Sequence, residues 1–298
     1  MTTNFEICSK INKLRRQFLE KLDRIILPLI NFLYDKYYEK NHIRIMRSIE
    51  SSIEKAIIYF ENQETITFDA AATFTVIINK SYEPKLKKLD EKIKNYVIEW
   101  NDPHLRLLDS KYDTSLAAYK DKKTTDIENL NEVEKPLIKC LYADKLQLNG
   151  DYLNELQKID DNGGYGTTHI LIGCEILKQF SSISLKDINP VIDSAILKIH
   201  KDQQYSPTID LFFERIVLLQ WKGYNHVIRP SWIIRIIYSQ TKNGGWCWNR
   251  SVWPQQAEQH PSCLALAALI QYREYYKSKL GERSDAVPSA IGSAFPIV

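Results

Sequence analysis

Residues Gln240-Thr-Lys-Asn-Gly244-Gly245-Trp246 repeat the plan of an earlier stretch, Gln157-Lys-Ile-Asp-Asp-Asn-Gly163-Gly164-Tyr165: a glutamine, a short polar turn, paired glycines and an aromatic. Each copy lies between two apolar stretches with helical spacing, and each is followed by a histidine expected to open the next helix, His169 and His260. Paired glycines after a helix allow left-handed backbone angles that end it at low steric cost, so Gly245 is expected to carry a positive φ. The aromatic then folds back over the junction. The glutamine is expected to reach the unpaired N–H groups that open the following helix. The economical reading is a duplicated helix-turn-helix unit.

Working outward, apolar residues recur at helical spacing in Phe18, Leu22, Ile25, Ile26, Leu29, Ile30 and Leu33. Similar stretches follow at 43–60, 68–78, 86–100, 133–143, 151–159, 169–180, 185–201, 207–221, 230–240 and 261–276, several with Pro at the first turn. The most strand-like run, 65–78, contains three consecutive alanines and fits a buried helix at least as well. Short connections make successive helices antiparallel. The expected fold is therefore all-α, one helical domain over 1–280 with the repeat in 133–277. A polar seam is expected at 121–132 and a flexible tail over 281–298.

With 298 residues, 44% hydrophobic, the chain has enough apolar side chains for a large core. Forty basic against 37 acidic residues, interspersed instead of clustered, argue against a nucleic-acid surface. Five cysteines without disulfide-framework or CxxC spacing read as reduced thiols, which places the protein in the cytoplasm. The apolar run from Ile25 to Leu33 is too short to span a bilayer, which takes about 20 apolar residues.

Gly150-Asp-Tyr152-Leu153-Asn-Glu-Leu-Gln157 followed by Gly163-Gly164-Tyr165 resembles the QW repeat of squalene-hopene and oxidosqualene cyclases, and Gln240 to Trp246 resembles its core with the tryptophan. The resemblance covers roughly 133–277. It implies an α/α toroid of the terpenoid cyclase and protein prenyltransferase type, antiparallel helix hairpins in two rings around a central cavity. The Asp-x-Asp-Asp proton donor of class II cyclases is missing: the nearest string, Lys158-Ile159-Asp160-Asp161, lacks the first aspartate. The magnesium motif of class I enzymes and the Asp-x-Cys of the prenyltransferase zinc site are missing as well. The resemblance thus supports the scaffold and not those chemistries.

On inner-ring helices, His169 and His260 would approach one rim of the cavity near Tyr165, and an imidazole there suits general acid/base work at neutral pH. Capping or packing is the alternative for each. Asp160, Asp161 and Glu258 are the candidate carboxylates, with Asp144 just before the first repeat; such residues also cap helices or solvate loops. Trp246, Trp248 and Trp253 are candidate ligand-binding aromatics, able to stack on a sugar or an apolar chain, though Trp246 fits packing better. His260 with Cys263, and His169 with Cys174, supply donors that suit zinc but no recognised metal spacing, so no cofactor is expected. The sequence points to an enzyme acting on a small molecule in a central cavity by His/carboxylate acid-base chemistry, cyclase-, lyase- or hydrolase-like. A non-catalytic helical scaffold that binds a ligand or protein is the alternative.

Overall fold

A computed structural model describes residues 2–80, 86–97, 106–107, 134–159, 164–207, 209–248 and 256–279. The expected seam at 121–132 and tail at 281–298 fall outside these. The described chain is all-α: α1 (Thr2–Glu61), α2 (Phe68–Lys80), α3 (Lys87–Val97), α4 (Glu134–Leu141), α5 (Ala143–Leu146), α6 (Asp151–Gln157), α7 (Tyr165–Phe180), α8 (Leu185–Gln203), α9 (Asp210–Trp221), α10 (Pro230–Ser239) and α11 (Gln259–Lys279). The alanine-rich run suspected of strand character is α2. Among the described residues the one β feature is an isolated antiparallel bridge between Trp246 and Glu258. None of the described helices is long and apolar enough to cross a membrane.

Helix α1 is two helices joined at Asn41 (φ −130, ψ 22), whose side-chain amide donates to the Tyr37 carbonyl. Competition of this kind between a short polar side chain and the helical ladder produces a kink. Beyond the kink, Ile45, Ile49, Ile53 and Ile57 recur every four residues and are buried on one face. Before it, Asn31 and Asp35 anchor the helix to α8 and α10. The Asn31 amide donates to the Gln204 carbonyl at the end of α8, 3.2 Å, and its Oδ1 accepts from Arg235 of α10, 3.3 Å. Asp35 Oδ1 accepts from the Ser231 N–H, 2.8 Å, at the start of α10, and Asp35 Oδ2 pairs with Arg229. Asp35 thereby caps a helix whose own N-cap residue, Arg229, makes no side-chain cap.

The layering follows from which helices are apolar on one side and which all round. Helix α8 buries Ile188, Ile192, Ala195, Ile196 and Ile199 and leaves Leu197 outside, whereas α9 is buried from Asp210 through Gln220 and α11 from Pro261 through Ile270. A helix apolar on every side must be covered on every side. Helix α9 packs against α7, α8 and α11, and α11 packs against α2, α1 and α10. The centre is thus the α9–α11 pair, flanked by α7, α2 and α10, the last buried at every residue from Ser231 to Ile236, with α1 and α8 outside.

The second glycine turn is where the outer and central helices meet. Gly244, at φ +95, is the residue in the left-handed region, and a Cβ on it would lie 2.3 Å from the Lys55 carbonyl oxygen of α1. Gly245 has no positive φ, contrary to the sequence expectation. Its need for glycine is steric, since a Cβ would sit 2.5 Å from Ala257 Cβ and 2.7 Å from Ser262 Oγ. Gln240 also works differently from expectation. Its amide donates to two carbonyls, Gly244 O at 2.7 Å and Ser52 O at 2.9 Å, and so ties the turn to α1 instead of capping α11. Gln157 of the first copy is exposed.

Trp246 is fully buried, its indole N–H given to the Ile236 carbonyl at 2.8 Å and its backbone N–H to Ser262 Oγ at 2.7 Å. It is a packing residue. Trp246→Phe keeps most of the ring volume but removes one of the two side-chain donors to the Ile236 carbonyl, the other being the Ser239 hydroxyl at 2.8 Å, a loss of about 0.5–1.5 kcal/mol. A thermal or urea midpoint equal to that of the parent protein would show that the indole N–H contributes nothing.

Candidate functional site

The first turn places Gly164, at φ +80, directly before α7, so that Tyr165 begins the helix and His169 stands one turn further in. His169 therefore does not open its helix as the repeat suggested, whereas His260 does lie in the first turn of α11. The two are not equivalent in the repeat, yet they share one site. The Tyr165 ring is 6.0 Å from His169 and 6.0 Å from Trp248, stacked on the latter at 25°. Trp248 is in turn 5.7 Å from His260. An aromatic wall of Tyr165 and Trp248 thus runs between the two imidazoles.

The residue that organises this wall is Asp210, the first residue of α9 and completely buried. Its Oδ2 accepts from the Tyr165 hydroxyl at 2.7 Å and its Oδ1 pairs with His260 Nδ1 at 2.8 Å. Buried carboxylates persist when paired and hydrogen-bonded, and the N-terminal turn of α9 favours negative charge. One helical turn on, Glu214 projects from the same face of α9. It too is buried, and its Oε1 has no hydrogen-bond partner. His169 Nδ1 is likewise buried without a partner.

These surroundings push the titrations apart. Burial pulls His169 down to about 4, assisted by the positive charge of His260. Burial also opposes charge on His260, but the hydrogen bond and charge of Asp210, helped by Glu214 and Asp69, outweigh it and raise the ring to about 9. Burial raises Glu214 to about 7 with the Asp210 charge adding to it, while the Thr168 hydroxyl, His260 and Arg215 act in the opposite direction. The Tyr165 phenol is held protonated by burial and by Asp210. At neutral pH the site contains an imidazolium paired with a carboxylate, a neutral imidazole, and a glutamic acid near its midpoint.

Of the carboxylates named from sequence, Asp160 and Asp161 lie outside the described residues, as does Trp253. Glu258 has an exposed side chain and serves through its backbone, donating its N–H to the Trp246 carbonyl at 2.8 Å. Asp144 forms a bidentate pair with Arg106, 2.8 Å in each arm, beside a separate groove of about 880 Å³ that also involves Asn149, Phe180 and Asp187. Asp210 and Glu214 were missed, although a signal was present. Two acids one turn apart in Asp210-Leu-Phe-Phe-Glu214, in a helix whose other residues are apolar except for Arg215 and Gln220, must be buried, and acids are buried only when something holds them.

Cys174 and Cys263 are buried thiols, the former pushed up to about 12 by burial, and the Cys263 thiol is bonded to the His260 carbonyl. Among the described residues no group of three or more His, Cys, Asp or Glu is placed to hold a metal ion. No protein-family model matches the chain, and no curated protein is similar to it in sequence. The functional reading rests on the site itself.

Proposed function

We propose that this protein is an enzyme that moves protons on a small molecule held between α7, α9 and α11, with His169 as base and His260 as acid. The carrying observation is Asp210, which binds Tyr165 and His260 at once and so holds one imidazole charged, while His169 across the aromatic wall is left neutral. Two titratable groups forced to opposite protonation states in one site are the pattern of an assigned acid and base. His169 carries a lone pair to take a proton from the ligand. His260, with Nδ1–H committed to Asp210, retains Nε2–H to give one back or to protonate a leaving group. Tyr165 fixes the Asp210 carboxylate, and Glu214 is poised to exchange a proton with either state.

Such a pair fits elimination, isomerisation or hydrolysis. The reading extends to architecture: α7, α9 and α11 would form the inner wall of an α/α toroid and α1 and α8 its outer layer, a picture supported by the all-round burial of α9 and α11. Both groups are in working form from about pH 4 to about pH 9, with loss below as His169 protonates and loss above as His260 deprotonates.

The test is a histidine titration by NMR on the full chain, assigned with His169→Gln and His260→Gln. One resonance is expected to titrate well below the ordinary histidine range and one well above it. Two histidines titrating together near 6.5 would sink the acid/base assignment.

A further inference from the structure

We infer that this site takes a neutral, hydroxyl-bearing ring, a sugar or cyclic polyol, with its C–H face on Trp248 and its hydroxyls on Glu214 and His169. The inference rests on the acid/base reading in using the same side chains, and adds the class of ligand. Three observations separate this class from the others a helical cavity accepts.

The first is the rim. Trp248 is 43% exposed, and its ring is stacked with Tyr165, which is anchored through Asp210. A large aromatic held in place while still open to solvent is suited to a ligand with one apolar and one wet side. The second is the pair of unpartnered polar atoms, Glu214 Oε1 and His169 Nδ1, whose residues flank the Tyr165–Asp210 hydrogen bond: the His169 ring lies 6.0 Å from that of Tyr165, and Glu214 stands one turn beyond Asp210 on α9. A hydroxyl both donates and accepts, so it satisfies either atom in either protonation state. A hydrocarbon chain would leave both buried and unpaired.

The third observation is charge. An anionic ligand needs an uncommitted cation, and His260 is spent on Asp210 while Arg215 reaches Asp202 at 3.9 Å. Two acids, Asp210 and Glu214, lie in the same space and repel a carboxylate or phosphate. A neutral polar ring is the class that meets all three conditions.

The test uses the full chain and five probes: methyl β-glucoside, cellobiose and maltose as neutral sugars, glucuronate as an anion and farnesol as an apolar chain. Indole and imidazole NMR resonances are followed during titration. At least one neutral sugar is expected to shift the Trp248 and His169 signals and to bind about tenfold more weakly to Trp248→Ala. Glu214→Leu is expected to lose that binding and Glu214→Gln, which keeps a hydrogen-bonding end group, to retain it; far-UV circular dichroism identifies variants that have failed to fold. Shifts at these residues from farnesol or glucuronate in place of the neutral sugars overturn the inference, as does the absence of any response to the sugars. Histidines that still titrate far apart in that case leave the acid/base reading standing, so the two failures are distinguishable.

Discussion

Gly244→Ala is expected to destabilise the protein by about 4 kcal/mol, adding about 1–3 kcal/mol of left-handed strain to an overpacking cost of similar size. Two demands coincide there. The backbone has φ +95, and the added methyl would meet the Lys55 carbonyl at 2.3 Å, an atom fixed in the α1 ladder that cannot rotate aside. Gly164→Ala is the internal comparison. It shares the positive φ, but its nearest neighbour would be a flexible Leu211 methyl at 3.9 Å, so only the backbone strain remains, about 1–3 kcal/mol. Urea unfolding of both variants measures the difference. Equal midpoint shifts at unchanged m would show that the approach to α1 costs nothing.

Asp210→Ala is expected to move the His260 titration from about 9 to below the ordinary histidine value and to cost about 3 kcal/mol near pH 6. Without Asp210 burial is opposed only by the smaller contributions of Glu214 and Asp69, and the N-terminal turn of α11 is itself an unfavourable place for positive charge. The pH dependence follows from the sign of the shift. A histidine raised in the folded state contributes stability that is fully present below its unfolded value near 6.5, and that contribution is lost as pH rises through about 9. The penalty of Asp210→Ala should therefore be greatest below pH 6.5 and shrink toward pH 9 and above. A penalty independent of pH would mean that Asp210 matters only for packing and for Tyr165. Asp210→Asn, nearly the same in volume, separates those contributions.

Helix positions were legible in the sequence because burial imposes a period on apolar residues, and that period survives without knowledge of partners. Ile45, Ile49, Ile53 and Ile57 announce the buried face of α1 whether or not α11 is known to cover it. The two histidines and Tyr165 were legible for a related reason, since the glycine turns mark the ends of helices where side chains can gather. The organising carboxylates were not. Asp210 follows its turn in a segment with no glycine pair, and its role depends on side chains 45 and 50 residues away in sequence. The role of Gln240 was misassigned because it responds to Ser52 of α1, 188 residues earlier, and that of Gly245 because it responds to Ala257 and Ser262 at the entry to α11; a local reading of a turn contains no term for either.

The ties from α1 to the end of the described chain bear on the order in which the molecule can assemble. Asp35 meets Arg229 and Ser231, Ser52 meets Gln240, Tyr59 meets Ala257, and Glu50 meets Arg273, pairs separated by 188 to 223 residues. Contacts this distant must wait for loop closure, which slows folding relative to a bundle of local hairpins. On the ribosome the first helix emerges long before α10 and α11 exist, carrying the exposed Ile25, Leu29 and Phe32 with it. The central helices are sealed only when α11 arrives, so nascent chains released before residue 260 should be held by chaperones or aggregate through α1 instead of folding as a smaller version of the protein.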